Sequence, residues 1–142
     1  REVGGTPVVR VRLGSGAVVG GAGGGGVPVV RTDGGRLEGV EAVVDKDHTA
    51  AVLAQALGAD ALLILTDVAN VFRAFGTPDQ EPIGRTTPPE LRGLGFPAGS
   101  MGPKVEAACQ FVESTGGLAG IGRLQDVRQI LAGSAGTIVT TG

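Results

Sequence analysis

The sequence predicts an α/β fold on a mostly parallel sheet, and three observations carry that prediction. First, "KDHTAAVLAQALGA" has helical spacing and meets a glycine stop at Gly58, and the apolar stretch Ala61–Leu65 follows at once. A helix, a stop and a buried strand in succession form one αβ unit. Second, the predicted elements alternate from Asp47 onward as α-β-loop-α-β-α-β. Third, 27 of the 142 residues are glycine and 42% are hydrophobic, with four Phe and no Trp or Tyr. A core of Val, Leu, Ile and Ala with many tight strand-to-helix turns suits such a fold. The glycines cluster without a period of three, which excludes collagen.

Taken in order, Val8–Leu13 is predicted as a short strand or irregular hairpin arm, because it is a β-rich run among turn residues. Ala17–Val19 reads as the end of a buried strand that runs into Gly20–Gly26, where six of seven residues are glycine. Asp33-Gly34 is a hairpin turn signal, and Val40–Val44 is expected to form or approach the second strand. The helix over 46–57 presents Ala51, Leu53, Ala54 and Leu57 on one face, with Gly58 as its C′ residue. Residues 68–89 are rich in Pro and Gly and read as loop. Thr86–Arg92 is predicted as a short helix capped by Thr87, with proline in its first turn. "GSMGPKVEAACQFVESTGG" reads as a long helix with Pro103 at its first position and a stop at Gly116-Gly117. "LAGIG", "LQDVRQILAG" and "GTIVTTG" follow as strand, helix and strand. There is no internal repeat or linker, so residues 1–142 are read as a single partial domain. The chain begins at Arg1, as expected of a piece of something longer.

Charge and composition exclude several classes of function. The net charge is −2 with mixed signs, which gives no electrostatic case for nucleic acid or an anionic membrane. No apolar run approaches the roughly 20 residues of a membrane span. No signal peptide pattern opens the sequence, so a cytoplasmic location is the expectation. Cys109 is the only cysteine, which rules out an internal disulfide framework and makes it a small core residue of its helix.

Three motifs fall at strand-to-helix junctions, where open α/β sheets bind ligands. In "GGAGGGGVPVV", consecutive glycines expose backbone N–H groups that can surround an oxyanion. In "VVDKDHTAA", Lys46 stands between Asp45 and Asp47, held in place and charged. The plainer alternative is an exposed charge cluster with an Asp N-cap. In "GSMGPK", Lys104 lies in the first turn of a helix. There the positive end of the dipole disfavours it by a few tenths to about 1 kcal/mol, and a bound phosphate would reverse the sign. The usage of cations sharpens both cases. Lys46 and Lys104 are the only lysines among twelve basic residues, and both stand at helix starts. A compact ammonium serves a phosphate as a point charge, which the planar fork of arginine does not replace. A weaker signal is "LLILTDVANVF", where Val68, Val71 and Phe72 either floor an adenine pocket or pack a loop.

In order, "GGGGVPVV", "VEAVVDKD", "LILTDVANVF", "FGTP" and "FPAGSMGPKVEAA" resemble the carboxyl-terminal half of carbamate kinase, of the amino acid kinase family. The likeness runs from about Gly16 to Thr140. It implies a three-layer α/β/α sandwich around a largely parallel sheet, here incomplete. It implies phosphoryl transfer between ATP and carbamate, giving ADP and carbamoyl phosphate, with Mg²⁺ and as a homodimer. The resemblance places Lys46, Asp47 and Lys104 at the transferring phosphoryl group. It places Thr66, Asp67, Val68, Val71, Phe72 and Gly99, Ser100, Met101, Gly102 around the nucleotide. It places Gly23, Gly24, Gly25 and Gly26 on the phosphoryl and carbamate side. The sequence departs from the family at Phe72, where tyrosine is usual, and at His48, where leucine follows "DKD". A helix expected between "REV" and "GAVVGGAGGGG" reads as absent. The amino-terminal half, with a further glycine loop, another lysine and most of the carbamate site, is not in this chain. Two other functions fit the same residues: an inactive nucleotide-binding remnant or assembly half, and an amino acid kinase with another acceptor.

Overall fold

The computed structural model describes residues 2–97, 99 and 101–142. Its centre is a four-stranded sheet in the order β3–β7–β8–β6, formed by Ala61–Thr66, Leu118–Arg123, Thr137–Val139 and Arg85–Thr86. β3 and β7 pair in parallel from Ala61↔Leu118 to Thr66↔Arg123. β6 and β8 are also parallel, while β7 and β8 are antiparallel. The predicted αβ units therefore form, and the sheet is mostly parallel.

Side-chain alternation along the strands separates two helical layers. Leu62, Ile64, Ala119 and Ile121 share a core with Val105, Ala108, Phe111 and Val112 of α4 (Met101–Thr115) and with Ala51 of α2 (Lys46–Leu57). Gly120 and Gly122 point to the other face, where fully buried Ile130 of α5 (Val127–Leu131) fills the space that side chains there would need. A Cβ on Gly122 would lie 2.8 Å from Ile130 Cδ1, and one on Gly120 would overlap Ile130 Cγ2. The result is the α/β/α layering. Gly120→Ala should therefore destabilise the fold by about 1–3 kcal/mol through overpacking, read as a lower denaturation midpoint.

Local signals set the boundaries of α2 and of α3 (Pro88–Gly93). Asp45 caps α2, its Oδ1 accepting from His48 N at 2.8 Å, and Gly58 ends it in the left-handed region at φ +69°. Thr87 and Glu90 form the capping box of α3. The Thr87 backbone and side chain, with Thr86, hold the Glu90 carboxyl below its usual range. Cys109 is fully buried as expected, and burial pushes its thiol up to about 11.

Four expectations are corrected. The β-rich run expected as a strand or hairpin arm is instead α1, Thr6–Gly14, and this is also the helix that read as absent. Pro7 suits its first turn, Ser15 Oγ donates to Arg12 O, and Arg10 donates to the carbonyl of Ala56 near the end of α2. These local and tertiary bonds outweigh the β preference of Val8, Val9 and Val11. Ala17–Val19 form no strand. The hairpin at Asp33-Gly34 exists, but its strands are β1 (Val29–Arg31) and β2 (Leu37–Gly39); Val40 N still donates to Pro28 O at 3.2 Å, and residues 41–44 lie beyond the pairing. Within 68–89, expected as loop, β4 (Val71–Arg73) and β5 (Glu81–Ile83) make a second hairpin. It is pinned to β8 by buried Thr137, whose hydroxyl accepts from Val71 N at 2.8 Å and donates to Ile83 O at 2.6 Å.

Candidate active site

Helices α2 and α4 each precede the strand they lead into, β3 and β7, and those strands are parallel. The helix N-termini therefore collect at the carboxyl end of the sheet, together with Thr66 and Asp67. That end gathers the predicted cations. Lys104 Nζ lies 2.9 Å from Asp47 Oδ2, across 57 residues of sequence, and Lys46 Nζ lies 3.6 Å from the same oxygen. Lys104 and Asp47 side chains are each 12% exposed, whereas Lys46 is 61% exposed. One carboxylate thus serves two ammoniums at two helix N-termini, with the Asp45 carboxylate already capping α2. This arrangement attracts an oxyanion.

α4 begins at Met101, two residues earlier than its sequence suggested, so Met101 and Gly102 are helical and Pro103 is the third helical residue. Lys104 stays in the first turn. Gly102 is required there, because a Cβ would overlap the Pro97 carbonyl. Met101 and Phe96 pack against the core, and Gly99 is exposed. Ser100 lies outside the described residues.

The glycine run docks on the start of α2. Gly25 is buried, has φ +86° and packs so closely on Val44 that a Cβ would lie 3.0 Å from the Val44 carbonyl carbon. Thr49 Oγ1 donates to Gly25 O at 2.9 Å and to Asp45 O at 3.0 Å. Gly26 is also left-handed at φ +98°, whereas Gly23 and Gly24 are exposed with open space around them.

The Thr66–Asp67 pair closes β3. Thr66 Oγ1 donates to Asp67 Oδ1 at 3.0 Å, and Arg123 Nε donates to Asp67 O at 3.3 Å. Val68 and Phe72 are half-buried, and the Phe72 ring is 5.9 Å from that of exposed Phe75. Val71 is fully buried in the core, so its side chain supports this region from beneath. Sequence reasoning singled out neither Phe75 nor Arg92. Arg92 of α3 grips two carboxylates of α4, Glu106 and Glu113. Its partners lie 14 and 21 residues away, and no local pattern announces them. Among the described residues no group of three or more His, Cys, Asp or Glu could hold a metal ion. None of their helices is long and apolar enough to cross a membrane.

A three-layer sandwich with paired helix N-termini, lysines and a glycine loop at one sheet end is the arrangement of an amino acid kinase. The description "Amino acid kinase family" matches residues 18–119, and the chain belongs to that family. Among its relatives are carbamate kinases. The one from Rhizobium meliloti is 49% identical over 131 residues, covering 91% of this chain and 40% of that protein. The one from Haemophilus influenzae is 46% identical over 132 residues, covering 93% and 43%. The solved structure of carbamate kinase from Giardia lamblia bound to AMP-PNP superposes with a TM-score of 0.94 at 35% identity, covering 100% of this chain and 51% of that one. The chain thus spans about two-fifths of the length of these curated relatives.

Proposed function

We propose that this chain is the nucleotide-binding half of a carbamate kinase-type phosphotransferase. The observation that carries the reading is the cluster of Lys104, Asp47 and Lys46 at two helix N-termini. In the forward direction a carbamate oxygen attacks the γ-phosphorus of ATP, and the bond to the β–γ bridging oxygen breaks, giving carbamoyl phosphate and ADP. In-line transfer depends on positioning and charge, so no covalent enzyme intermediate is needed. Lys46 and Lys104 neutralise the charge that spreads over the phosphoryl oxygens, and Asp47 orients both ammoniums. Backbone N–H groups of Gly23–Gly26 face the phosphoryl and carbamate side. Thr66, Asp67, Val68 and Phe72, with Gly99, Ser100, Met101 and Gly102, line the nucleotide, and Val71 backs them. Mg²⁺ would be held by the nucleotide phosphates with one or two carboxylates, the usual arrangement for this ion. The remaining length of the protein supplies most of the carbamate site. The whole enzyme is a cytoplasmic homodimer.

The short span relative to the curated kinases favours a second reading, a nucleotide-binding half without turnover of its own. Calorimetric titration with ADP and AMP tests the first claim. ADP should bind and AMP should bind much more weakly, because the outer phosphate meets the lysines. A folded chain that binds neither would overturn the nucleotide assignment. ADP production from ATP with ammonium bicarbonate then separates the two readings. Turnover by this chain alone rejects the inactive half, and binding without turnover supports it.

A further inference from the structure

The Arg92 guanidinium makes four hydrogen bonds to two carboxylates of α4. Its Nε donates to Glu106 Oε2 at 2.8 Å and its Nη2 to Glu106 Oε1 at 2.9 Å, a bidentate fork. Its remaining edge reaches Glu113, with Nη2 to Oε2 at 3.0 Å and Nη1 to Oε1. Glu106 and Glu113 lie two turns apart on α4, so a single side chain spans half that helix. Fork geometry of this kind fixes orientation as well as distance, which a lysine cannot do with two carboxylates at once.

The position of Arg92 in the chain gives the fork its consequence. α3 ends at Gly93 and α4 begins at Met101, so the connection 94–100 has one anchor at each end. Leu91 and Phe96 fix the α3 side by burial in or against the core. On the α4 side the Pro97 carbonyl rests directly on Gly102, two residues before Lys104. Glu106 follows Lys104 by two residues. A shift of α3 along α4 therefore acts on the turn that carries Lys104. From the other side, α4 is held by Lys104 itself, through Asp47 of α2.

We infer that Arg92 is a positioning residue: by clamping Glu106 and Glu113 it sets the first turn of α4 so that Lys104 Nζ meets Asp47 and presents its free face to a phosphate. The second half of this statement rests on the nucleotide-binding reading above. The first half concerns this chain alone.

The chain itself supplies the probe, because it holds only two lysines, both facing Asp47. Acetylation with acetic anhydride, followed by peptide mass spectrometry, reads each ammonium separately. In the wild type, Lys46 at 61% exposure should react faster than Lys104 at 12%. Arg92→Met should raise the Lys104 rate severalfold and leave Lys46 unchanged. Arg92→Lys should not restore protection, because it keeps the charge and loses the fork. Unchanged Lys104 reactivity in a folded Arg92→Met or Arg92→Lys protein overturns the inference. An equal rise at both lysines also overturns it, since that is general loosening. If neither substitution folds, Glu106→Gln removes the charged fork beside Lys104 and keeps the Glu113 pair, and the same ratio of rates decides: a selective rise at Lys104 supports the role and no rise rejects it. ADP titration of Arg92→Met, Lys104→Met and the double variant then adds a coupling measurement. Additive losses exclude action through Lys104. Failure of ADP to bind the wild type strikes the nucleotide reading only, because acetylation is read without nucleotide.

Discussion

Lys104→Met is expected to weaken ADP binding by about one to two orders of magnitude, since hydrogen bonds to charged groups contribute about 1.5–3 kcal/mol. The side chain is 12% exposed and its one protein partner in the cluster is Asp47 at 2.9 Å. Removing it has two consequences that need separating. A phosphate loses its point charge, and the Asp47 carboxylate loses its closer partner and keeps Lys46 at 3.6 Å. The second effect lowers the denaturation midpoint without any nucleotide present. Lys104→Arg separates them, because it retains the charge and an ion pair while placing a planar fork where a compact ammonium fits. The arginine variant should hold the midpoint near that of the wild type and still lose affinity and turnover in the whole enzyme. Wild-type ADP affinity in folded Lys104→Met would sink the phosphate role.

Gly25→Ala is expected to be the most damaging change in the glycine run. At φ +86° a non-glycine residue costs about 1–3 kcal/mol in backbone strain alone, and the new Cβ would overlap the Val44 carbonyl. The Thr49 bond to Gly25 O shares the same close approach, so the loop would lift from the start of α2. Lys46 and Asp47 occupy that first turn. Both the denaturation midpoint and ADP affinity should therefore fall together. Gly23→Ala is the control. Gly23 is exposed, lacks a positive φ and has nothing within 4 Å of a built Cβ, so its stability should change by no more than about 0.5 kcal/mol. Equal losses at Gly23 and Gly25 would refute the assignment of the close approach to Gly25.

The sequence determined on its own those elements whose cause is local. α2 carries its Asp45 cap and its Gly58 stop in its own residues. α3 carries its Thr87–Glu90 box, and β3 and β7 are short apolar runs behind glycine stops. The two lysines were conspicuous for a local reason as well, a cation at the wrong end of a helix. Tertiary structure decided what local preference leaves balanced or misdirects. Val8–Leu13 is rich in β-branched residues and is helical, with Arg10 anchored on the end of α2. Val40–Val44 has strand composition, yet only Val40 bonds back, to Pro28 O, and no strand forms over it. The β4–β5 hairpin crosses a Pro- and Gly-rich stretch, and the hydroxyl of Thr137, more than 50 residues away, holds it in place. Only the fold reveals why Gly120 and Gly122 are glycine, because Ile130 arrives from a separate helix. The same holds for the site. Sequence proposed Lys46, Asp47 and Lys104 as three residues from two motifs. The parallel pairing of β3 and β7 brings the N-termini of α2 and α4 to one end of the sheet, and so makes a single charged cluster of them.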